Sequence, residues 1–287
     1  MKKYDIVMIG HVSKDILIQK GKESRITGGA VVYSSVAAKR SGASVLVITK
    51  TAKKERRLVK FLEDEGIDVV VLDSPETTSI QNLYESEDME GRKVTLLASA
   101  SPFSVDELPE VDGKIFHLAG LFYGEIPSEL IFFFEKKGKL ALDAQGVVRC
   151  SEGGNLIFKD WEKKKELLPR ISYLKTDAVE AEILTGETDR VKAAVMLKEA
   201  GAGEVMVTHG SEVILYSEEG LNRAPFTARN LSGRTGRGDT CFAAYLAWRV
   251  HHGVEDSLKF AAALTSIKME SPGVFKGTRE EVLARIG

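Results

Sequence analysis

The sequence predicts an α/β fold: a three-layer, doubly wound, mostly parallel sheet with helices on both faces and a small β lid. Two observations predict it. Short β-branched runs alternate with longer segments of helical period along most of the chain, which is typical of strand–helix–strand units. Residues 16–27 and 78–98 break this rhythm with short alternating stretches that have no helix nearby.

The alternation gives the main elements in chain order. β-Branched, apolar runs predict strands at residues 5–9, 44–49, 114–118, 139–143, 171–175 and 204–208. Segments of helical period predict helices at residues 31–39, 57–65, 128–137, 177–185, 191–199, 240–250, 255–269 and 279–285. Because helices separate the strands, we expect a parallel sheet that is buried on both faces.

The two irregular regions are predicted to form antiparallel strands outside the main sheet. Beside a parallel sheet, such strands can cover a site at the carboxyl ends of the main strands, where ligands bind in open α/β folds. The alternative is a pair of surface hairpins without that role, and spacing alone does not separate the two. We treat residues 1–287 as a single domain whose lid is formed by 16–27 and 78–98.

Composition and charge exclude several classes of protein. The 40 Lys and Arg residues balance 42 Asp and Glu residues, which argues against a protein that binds nucleic acid by neutralising phosphates. The densest apolar run, residues 130–134, is much shorter than the roughly 18 residues of a membrane span. Two cysteines provide no disulfide framework, and the first ten residues predict a strand rather than a signal peptide. We expect a cytoplasmic monomer or homodimer that acts on a small molecule, without nucleic acid or membrane partners.

The strongest chemical signal is the segment from Thr235 to Phe242, which reads Thr-Gly-Arg-Gly-Asp-Thr-Cys-Phe and runs into an apolar helix. Glycines at a helix start let the backbone approach an anion, and the first helix amides point outward without an internal partner. Such a nest suits a phosphoryl group in transfer. Asp239 can reach the same volume as a general base for a substrate hydroxyl, or it can simply cap the helix.

The segment is similar to the Gly-Ala-Gly-Asp signature of the ribokinase-like (PfkB) carbohydrate kinases. Four further stretches resemble motifs of this family, in family order and over nearly the whole chain. They are Gly10 to Asp15 after the first strand, the Gly28-Gly29 pair before a small-residue helix ending at Gly42, Asp177 to Gly186, and Val207 to Gly210.

The resemblance implies a role for each matching residue. Asp239 would be the catalytic base, within an anion hole formed by Gly236, Arg237, Gly238 and Asp239 itself. The other implied sites are substrate binding by Asp15, Gly28, Gly29 and Tyr33, nucleotide binding by Thr208, Gly210 and Thr235, and Mg²⁺ binding by Asp177 and Glu180.

These assignments also have purely structural alternatives. Asp15 can accept hydrogen bonds from two adjacent hydroxyls, or it can serve a turn. Asp177 and Glu180 stand three apart on one helix face, where they can hold hydrated Mg²⁺, form a capping box, or do both. The Gly28-Gly29 pair can bring amides close to a sugar or make a tight turn.

The stretch from Asp143 to Arg149 resembles an Asp-x-Gln-x-x-x-Arg pattern of inositol kinases in this superfamily. It implies that Gln145 and Arg149 contact substrate; the alternative is a loop stabilised by its own hydrogen bonds. The expected activity is phosphorylation of a small polyol or sugar with ATP and Mg²⁺. The preferred acceptor is myo-inositol, and the alternatives are another sugar, a sugar acid or a nucleoside.

Two hypotheses come from other classes of protein. A dinucleotide-binding oxidoreductase would share the doubly wound sheet, but the first strand ends without a Gly-x-Gly-x-x-Gly motif. A non-catalytic sugar-binding protein would have no need of Asp239 in its motif.

Four positions depart from the family pattern, and one of them is Arg237, which stands where the family has Ala. Tyr33 stands where the family has Asn, Asp177 stands at the Asn of Asn-x-x-Glu, and Gly233 replaces an Asp before the anion hole. Many family members use that Asp in a potassium site. Its loss predicts an enzyme that needs no monovalent cation, with the guanidinium of Arg237 supplying positive charge instead.

Overall fold

The computed structural model describes residues 2–19, 21–84 and 92–286. The strands in these residues are β1 (Lys3–Ile9), β2 (Ser13–Gln19), β3 (Lys22–Gly28), β4 (Val45–Thr51), β5 (Asp68–Asp73), β6 (Thr78–Tyr84), β7 (Arg92–Ala98), β8 (Asp112–Leu118), β9 (Lys139–Asp143), β10 (Arg149–Glu152), β11 (Asn155–Phe158), β12 (Tyr173–Asp177), β13 (Glu204–Thr208), β14 (Glu212–Ser217) and β15 (Gly220–Pro225). The α-helices are α1 (Ala30–Arg40), α2 (Lys60–Asp64), α3 (Ser128–Phe134), α4 (Gln145–Val148), α5 (Lys164–Leu167), α6 (Ala178–Thr185), α7 (Arg190–Glu199), α8 (Arg237–Arg249), α9 (Val254–Met269) and α10 (Arg279–Ile286).

Nine strands form the main sheet in the order β15-β14-β13-β12-β9-β8-β1-β4-β5. The pairs from β13 to β5 are parallel, and β14 and β15 extend one edge in antiparallel pairing. From the central β1 the chain winds first to β4 and β5, and then to β8, β9, β12 and β13 on the other side. This confirms the predicted doubly wound sheet and gives a switch in strand order beside β1, where ligands bind in such folds.

The central strand β1 contributes side chains to a hydrophobic core on each face of the main sheet. Ile6 and Met8 belong to a core that includes residues of α1, α8 and α9. Val7 and Ile9 belong to a second core with residues of α3, α6 and α7. The sheet is therefore buried between two helical layers, as the near-continuous apolar strands predict. Among the described residues, none of the helices combines the length and the apolar character that a bilayer crossing requires.

Six strands form a second sheet in the order β10-β11-β7-β6-β2-β3. It contains strands from both predicted lid segments, although residue 20 and residues 85–91 lie outside the described residues. One part of the prediction is wrong: β2 and β6 pair in parallel, while β2–β3 and β6–β7 are antiparallel. The hairpin of β10 and β11 joins this sheet through β7 and was absent from the sequence prediction.

The prediction of one helix at residues 57–65 is also wrong. A 3₁₀ helix spans Lys53–Val59, and the α-helical part, α2, is only five residues long. Val59 and Leu62 are the only buried side chains of these two elements. The burial of apolar surface is therefore too small to stabilise a longer α-helix.

His117 on β8 makes the fold sensitive to acid. Its side chain is buried edge-on against Phe242, and neither ring nitrogen has a hydrogen-bond partner among the described residues. Burial, and secondly the charge of Lys175, lowers its pKa from 6.5 to about 3. At pH values between about 3 and 6.5, this histidine binds a proton in the unfolded chain but not in the folded protein. The free energy of unfolding therefore falls as the pH falls below 6.5, by about 1.4 kcal/mol per pH unit.

We expect wild type to lose about 2 kcal/mol more than a His117→Phe variant when urea unfolding at pH 7.5 is compared with pH 5.0. The comparison between the two proteins separates this histidine from other titrating groups. A His251→Asn variant is the control, because His251 is exposed, and it should follow wild type. Equal losses in wild type and His117→Phe would contradict the assignment.

Candidate active site

The carboxyl ends of the parallel strands open into a cleft of about 300 Å³, covered by the second sheet. Both layers line it. The main-sheet side contributes Gly29, Ala30, Tyr33, Leu121, Phe122, Gln145, Lys175, Asp177, Thr208, Arg234, Thr235, Gly236, Arg237, Gly238 and Asp239, and the second sheet and its margin contribute Asp15, Ile80, Asn82, Tyr84, Val94, Arg149 and Leu156.

The start of α8 forms one wall of the cleft. Gly236 precedes the helix in the left-handed region, at φ 75°, and a Cβ there would lie 2.3 Å from the Tyr33 ring. The amide of Arg237 donates to the carbonyl of Arg234 at 3.2 Å. Of the predicted segment, only the Arg237 amide has an acceptor among the described residues. The amides of Gly236, before the helix, and of Gly238 and Asp239, within its first turn, donate to no other described residue and are open to an anion.

Asp239 is the third residue of α8, and its side chain lines the cleft. Its main-chain carbonyl accepts a hydrogen bond from the hydroxyl of Ser34 on α1 at 3.2 Å. The starts of α1 and α8 are thereby held together. A substrate hydroxyl beside α1 would lie close to the carboxylate of Asp239 and to the open amides.

Asp15 lies on β2 and is 9% exposed. A Cβ at Gly28, on the neighbouring strand, would lie 2.3 Å from Asp15 Oδ2, so Gly28 makes room for this carboxylate and does not itself line the cleft. Gly29 does line the cleft, and its φ of 104° and its approach to the carbonyl of His11 require glycine.

Buried charges form the floor of the cleft. The ammonium of Lys175 on β12 donates to both oxygens of Asp143, at 3.0 and 3.1 Å, and lies 3.7 Å from Glu180 Oε2. Arg149 donates to Glu180 Oε1 at 2.8 Å and lies 3.9 Å from Asp177 Oδ2. A Cβ at Gly238 would lie 3.2 Å from Lys175 Nζ, so this ammonium is directly beneath the anion nest.

The charge balance of this floor shifts several pKa values. Burial raises the pKa of Asp143 to about 7; Lys175 opposes this rise, and the nearby carboxylates of Glu180 and Asp239 contribute to it. Burial opposes the charge of Lys175, but Asp143 and the other carboxylates outweigh it and raise the pKa of that lysine. The lysine therefore stays positively charged beneath the nest.

The predicted magnesium residues do not fit direct coordination of the ion by both carboxylates. Glu180 has no exposed surface, and its oxygens already accept hydrogen bonds from Arg149 and from the amide of Asp177. Asp177 Oδ1 accepts from the amide of Glu180, which completes a capping box at the start of α6. Among the described residues, no three His, Cys, Asp or Glu side chains are grouped to hold a metal ion.

The structure brings most of the predicted site residues to one cleft. Thr208, at the end of β13, and Thr235, before α8, both line it. Gly210 does not: it lies in the turn between β13 and β14. Gln145 lines the cleft at the start of α4. Its main-chain amide donates to Asp143 Oδ1 at 3.2 Å, which is the kind of local hydrogen bond that the alternative interpretation predicts.

The sequence analysis missed several residues of this region. Lys175 and Lys268 are lysines in otherwise apolar, buried elements, which is an unusual pattern that could have drawn attention to them. Asn82 and Tyr84 reach the cleft from β6, and the Tyr84 hydroxyl lies 3.4 Å from Thr235 Oγ1. That contact ties the second sheet to the loop before the nest.

An anion nest beside one carboxylate, with a second carboxylate under a covering sheet, fits an enzyme that transfers a phosphoryl group to a sugar or polyol hydroxyl. The chain belongs to the pfkB family of carbohydrate kinases, whose profile matches residues 3–280. The oxidoreductase and the non-catalytic sugar-binding protein are thereby excluded. Similar solved structures at 19% identity, such as an Arabidopsis thaliana ribokinase with a TM-score of 0.79, share the fold.

Three comparisons are more specific. A pyrophosphate-dependent kinase of the ribokinase family, solved with a pyrophosphate analog and myo-inositol, is 39% identical, with a TM-score of 0.90 over 97% of this chain and 99% of that one. A pyrophosphate-dependent myo-inositol-1 kinase that was converted into a myo-inositol-3 kinase by two substitutions is 38% identical, with a TM-score of 0.89 over 98% of both chains. A cytidine kinase of Thermococcus kodakarensis is 27% identical over 85% of this chain and 87% of its own length.

Proposed function

We propose that this protein transfers a phosphoryl group from pyrophosphate to a hydroxyl of myo-inositol. The observation that carries the proposal is the placement of Asp239 and two open helix amides on one wall of the cleft that also contains Asp15. The likeness to kinases described with these two substrates, at 38–39% identity, supports the choice of donor and acceptor.

In the proposed reaction, the oxygen of the acceptor hydroxyl attacks the terminal phosphorus of the donor, and Asp239 takes the proton of that hydroxyl. The new O–P bond forms while the bridging P–O bond breaks, and inorganic phosphate leaves. The amides of Gly238 and Asp239 and the guanidinium of Arg237 stabilise the negative charge on the transferred group. No step is assigned to Mg²⁺, because the predicted carboxylate pair does not fit direct coordination of the ion.

The acceptor side suits a ring with several hydroxyls. The carboxylate of Asp15 accepts hydrogen bonds from adjacent hydroxyls, and the amide groups of Gln145 and Asn82 both donate and accept. A cyclic polyol presents such groups around its whole circumference. Cytidine is the alternative acceptor suggested by the nucleoside kinase relative.

The donor side favours a compact polyphosphate over ATP. The cleft of about 300 Å³ is at the lower end of the range for small-molecule sites. The loop before α8 is packed against the end of α9: the amide of Gly233 donates to the carbonyl of Met269 at 2.8 Å, and a Cβ at Gly233 would lie 1.8 Å from the carbonyl oxygen of Ser271. A nucleoside attached to the donor needs a groove leading from the nest, and we infer that this packing leaves little room for one on the α9 side.

A matrix of donors and acceptors tests the proposal. Initial rates are measured with pyrophosphate or ATP against myo-inositol, ribose and cytidine. We expect kcat/KM for pyrophosphate with myo-inositol to exceed every other pair by roughly tenfold or more, or about 1.4 kcal/mol of differential transition-state binding. A higher kcat/KM with ATP would overturn the assignment of pyrophosphate as the donor. A higher kcat/KM with cytidine or ribose would overturn the assignment of myo-inositol as the acceptor.

A further inference from the structure

A buried ammonium group lies beneath the loop that precedes the anion nest. Lys268, on α9, is 1% exposed. Its Nζ donates to the carbonyl oxygen of Gly233 at 2.5 Å and to that of Thr235. The two acceptors are separated by a single residue, so one positive charge holds together the carbonyls of residues 233 and 235.

This lysine lacks the ion pair that usually compensates a buried charge, and its Nζ lies 5.3 Å from the centroid of the Tyr33 ring. Among the described residues, no carboxylate lies within ion-pair distance of Lys268, although the more distant charge of Asp239 attracts it. Buried charges are costly unless they are paired or fully hydrogen-bonded. Burial lowers the pKa of Lys268 to about 8, with Asp239 raising it and Arg237 lowering it. A charge retained at such a cost, on main-chain carbonyls next to the nest, indicates a role in function.

We propose that the Lys268 ammonium is a built-in monovalent cation, which positions the nest through the Gly233 and Thr235 carbonyls and makes an external cation unnecessary. Lys268 does not line the cleft, so it is a positioning residue rather than a catalytic one. The proposal rests on the proposed kinase function. It replaces the sequence-based assignment of this charge to Arg237, whose side chain lines the cleft and remains available to the donor.

The loop geometry explains how one charge can set the whole nest. The amide of Gly233 is fixed on the carbonyl of Met269, and the carbonyl of Thr235 is fixed on Lys268. Gly236 follows at once, and the open helix amides of Gly238 and Asp239 begin two residues later. Without the ammonium, two carbonyl dipoles would face each other in a buried site, and the loop would turn away to separate them.

The test compares Lys268→Ala, Lys268→Met and the control Lys259→Ala, which removes an exposed lysine of the same helix paired with Glu255. Phosphoryl transfer is assayed in tetramethylammonium buffer and then titrated with KCl, NH₄Cl and methylammonium chloride. Binding of pyrophosphate is measured by calorimetry under the same conditions, and folding by thermal denaturation.

We expect wild type and Lys259→Ala to change less than about twofold with any cation. Lys268→Ala, with the cavity open, should lose about tenfold in kcat, which corresponds to the lower end of a charged hydrogen bond, and should regain most of it with K⁺ or an ammonium ion. Pyrophosphate affinity should follow the same pattern. Lys268→Met, which fills the cavity without a charge, should lose activity and not regain it.

Strong activation of wild type by K⁺ would overturn the proposal. So would a folded Lys268→Ala variant that no cation restores, or a Lys268→Met variant with full activity. If wild type shows no transfer with any donor and acceptor, the proposed function fails, while the cation dependence of pyrophosphate binding still decides the role of Lys268.

Discussion

Replacement of Asp239 by asparagine is expected to lower kcat by roughly 10²–10⁴-fold, the usual contribution of a general base. The substitution removes the proton acceptor and keeps the size of the side chain. The open amides of Gly238 and Asp239 remain in the main chain, and so does the hydrogen bond from Ser34 to the Asp239 carbonyl. Donor affinity should therefore change by no more than a few-fold, which calorimetry with pyrophosphate measures.

The chain offers a matched control for this variant. Asp256 is the third residue of α9, as Asp239 is of α8, but it is exposed and lies outside the cleft. Asp256→Asn should keep the wild-type kcat, which separates a catalytic effect from the loss of a carboxylate at a helix start. An Asp239→Asn variant with more than half of the wild-type kcat would remove Asp239 from the reaction.

Replacement of Asp15 by alanine is expected to raise KM for the polyol roughly ten- to a hundredfold, with KM for the donor unchanged. A hydrogen bond to a charged group is worth about 1.5–3 kcal/mol, which gives this range. The two KM values should respond differently because Asp15 is on β2 in the second sheet, whereas the proposed donor site is at the start of α8. Initial-rate kinetics with each substrate varied in turn measures both constants.

Glu23→Ala is the control for this second variant. Glu23 is a carboxylate on the adjacent strand β3, exposed and paired with Arg25, and it does not line the cleft. It should leave both KM values unchanged. Equal increases in the two KM values of Asp15→Ala would indicate that Asp15 supports the structure of the cleft rather than holding the polyol.

The sequence predicted the main sheet because its strands are buried on both faces and alternate with helices. It was less informative about the second sheet. Alternation identified strands in the two lid segments but not their partners, since the parallel pairing of β2 with β6 joins residues about 65 apart in the chain. The short hairpin of β10 and β11, around Gly153 and Gly154, has only four residues in each strand, too few to show a period.

The site was predictable where a local motif carries the chemistry. The nest of Gly236 to Asp239 could be predicted because it depends only on glycines and helix-start amides that are neighbours in the sequence. Spacing could not separate the two roles of Asp177 and Glu180, since a capping box and a magnesium site share the same three-residue separation; the structure shows the capping box, and binding of hydrated Mg²⁺ stays a prediction. The contact that spacing could not predict is that of Arg149, at the start of β10, which donates a hydrogen bond to Glu180 Oε1 and so removes this oxygen from direct metal binding.

The central claim is that this cleft makes a phosphate ester with Asp239 as the base. The most direct measurement is ³¹P NMR of a reaction containing pyrophosphate and myo-inositol, run with wild type and with Asp239→Asn at equal concentration. We predict an inositol monophosphate signal and one equivalent of inorganic phosphate with wild type, and no ester above background with the variant. Release of phosphate without an ester, or equal ester formation by both proteins, would contradict the account.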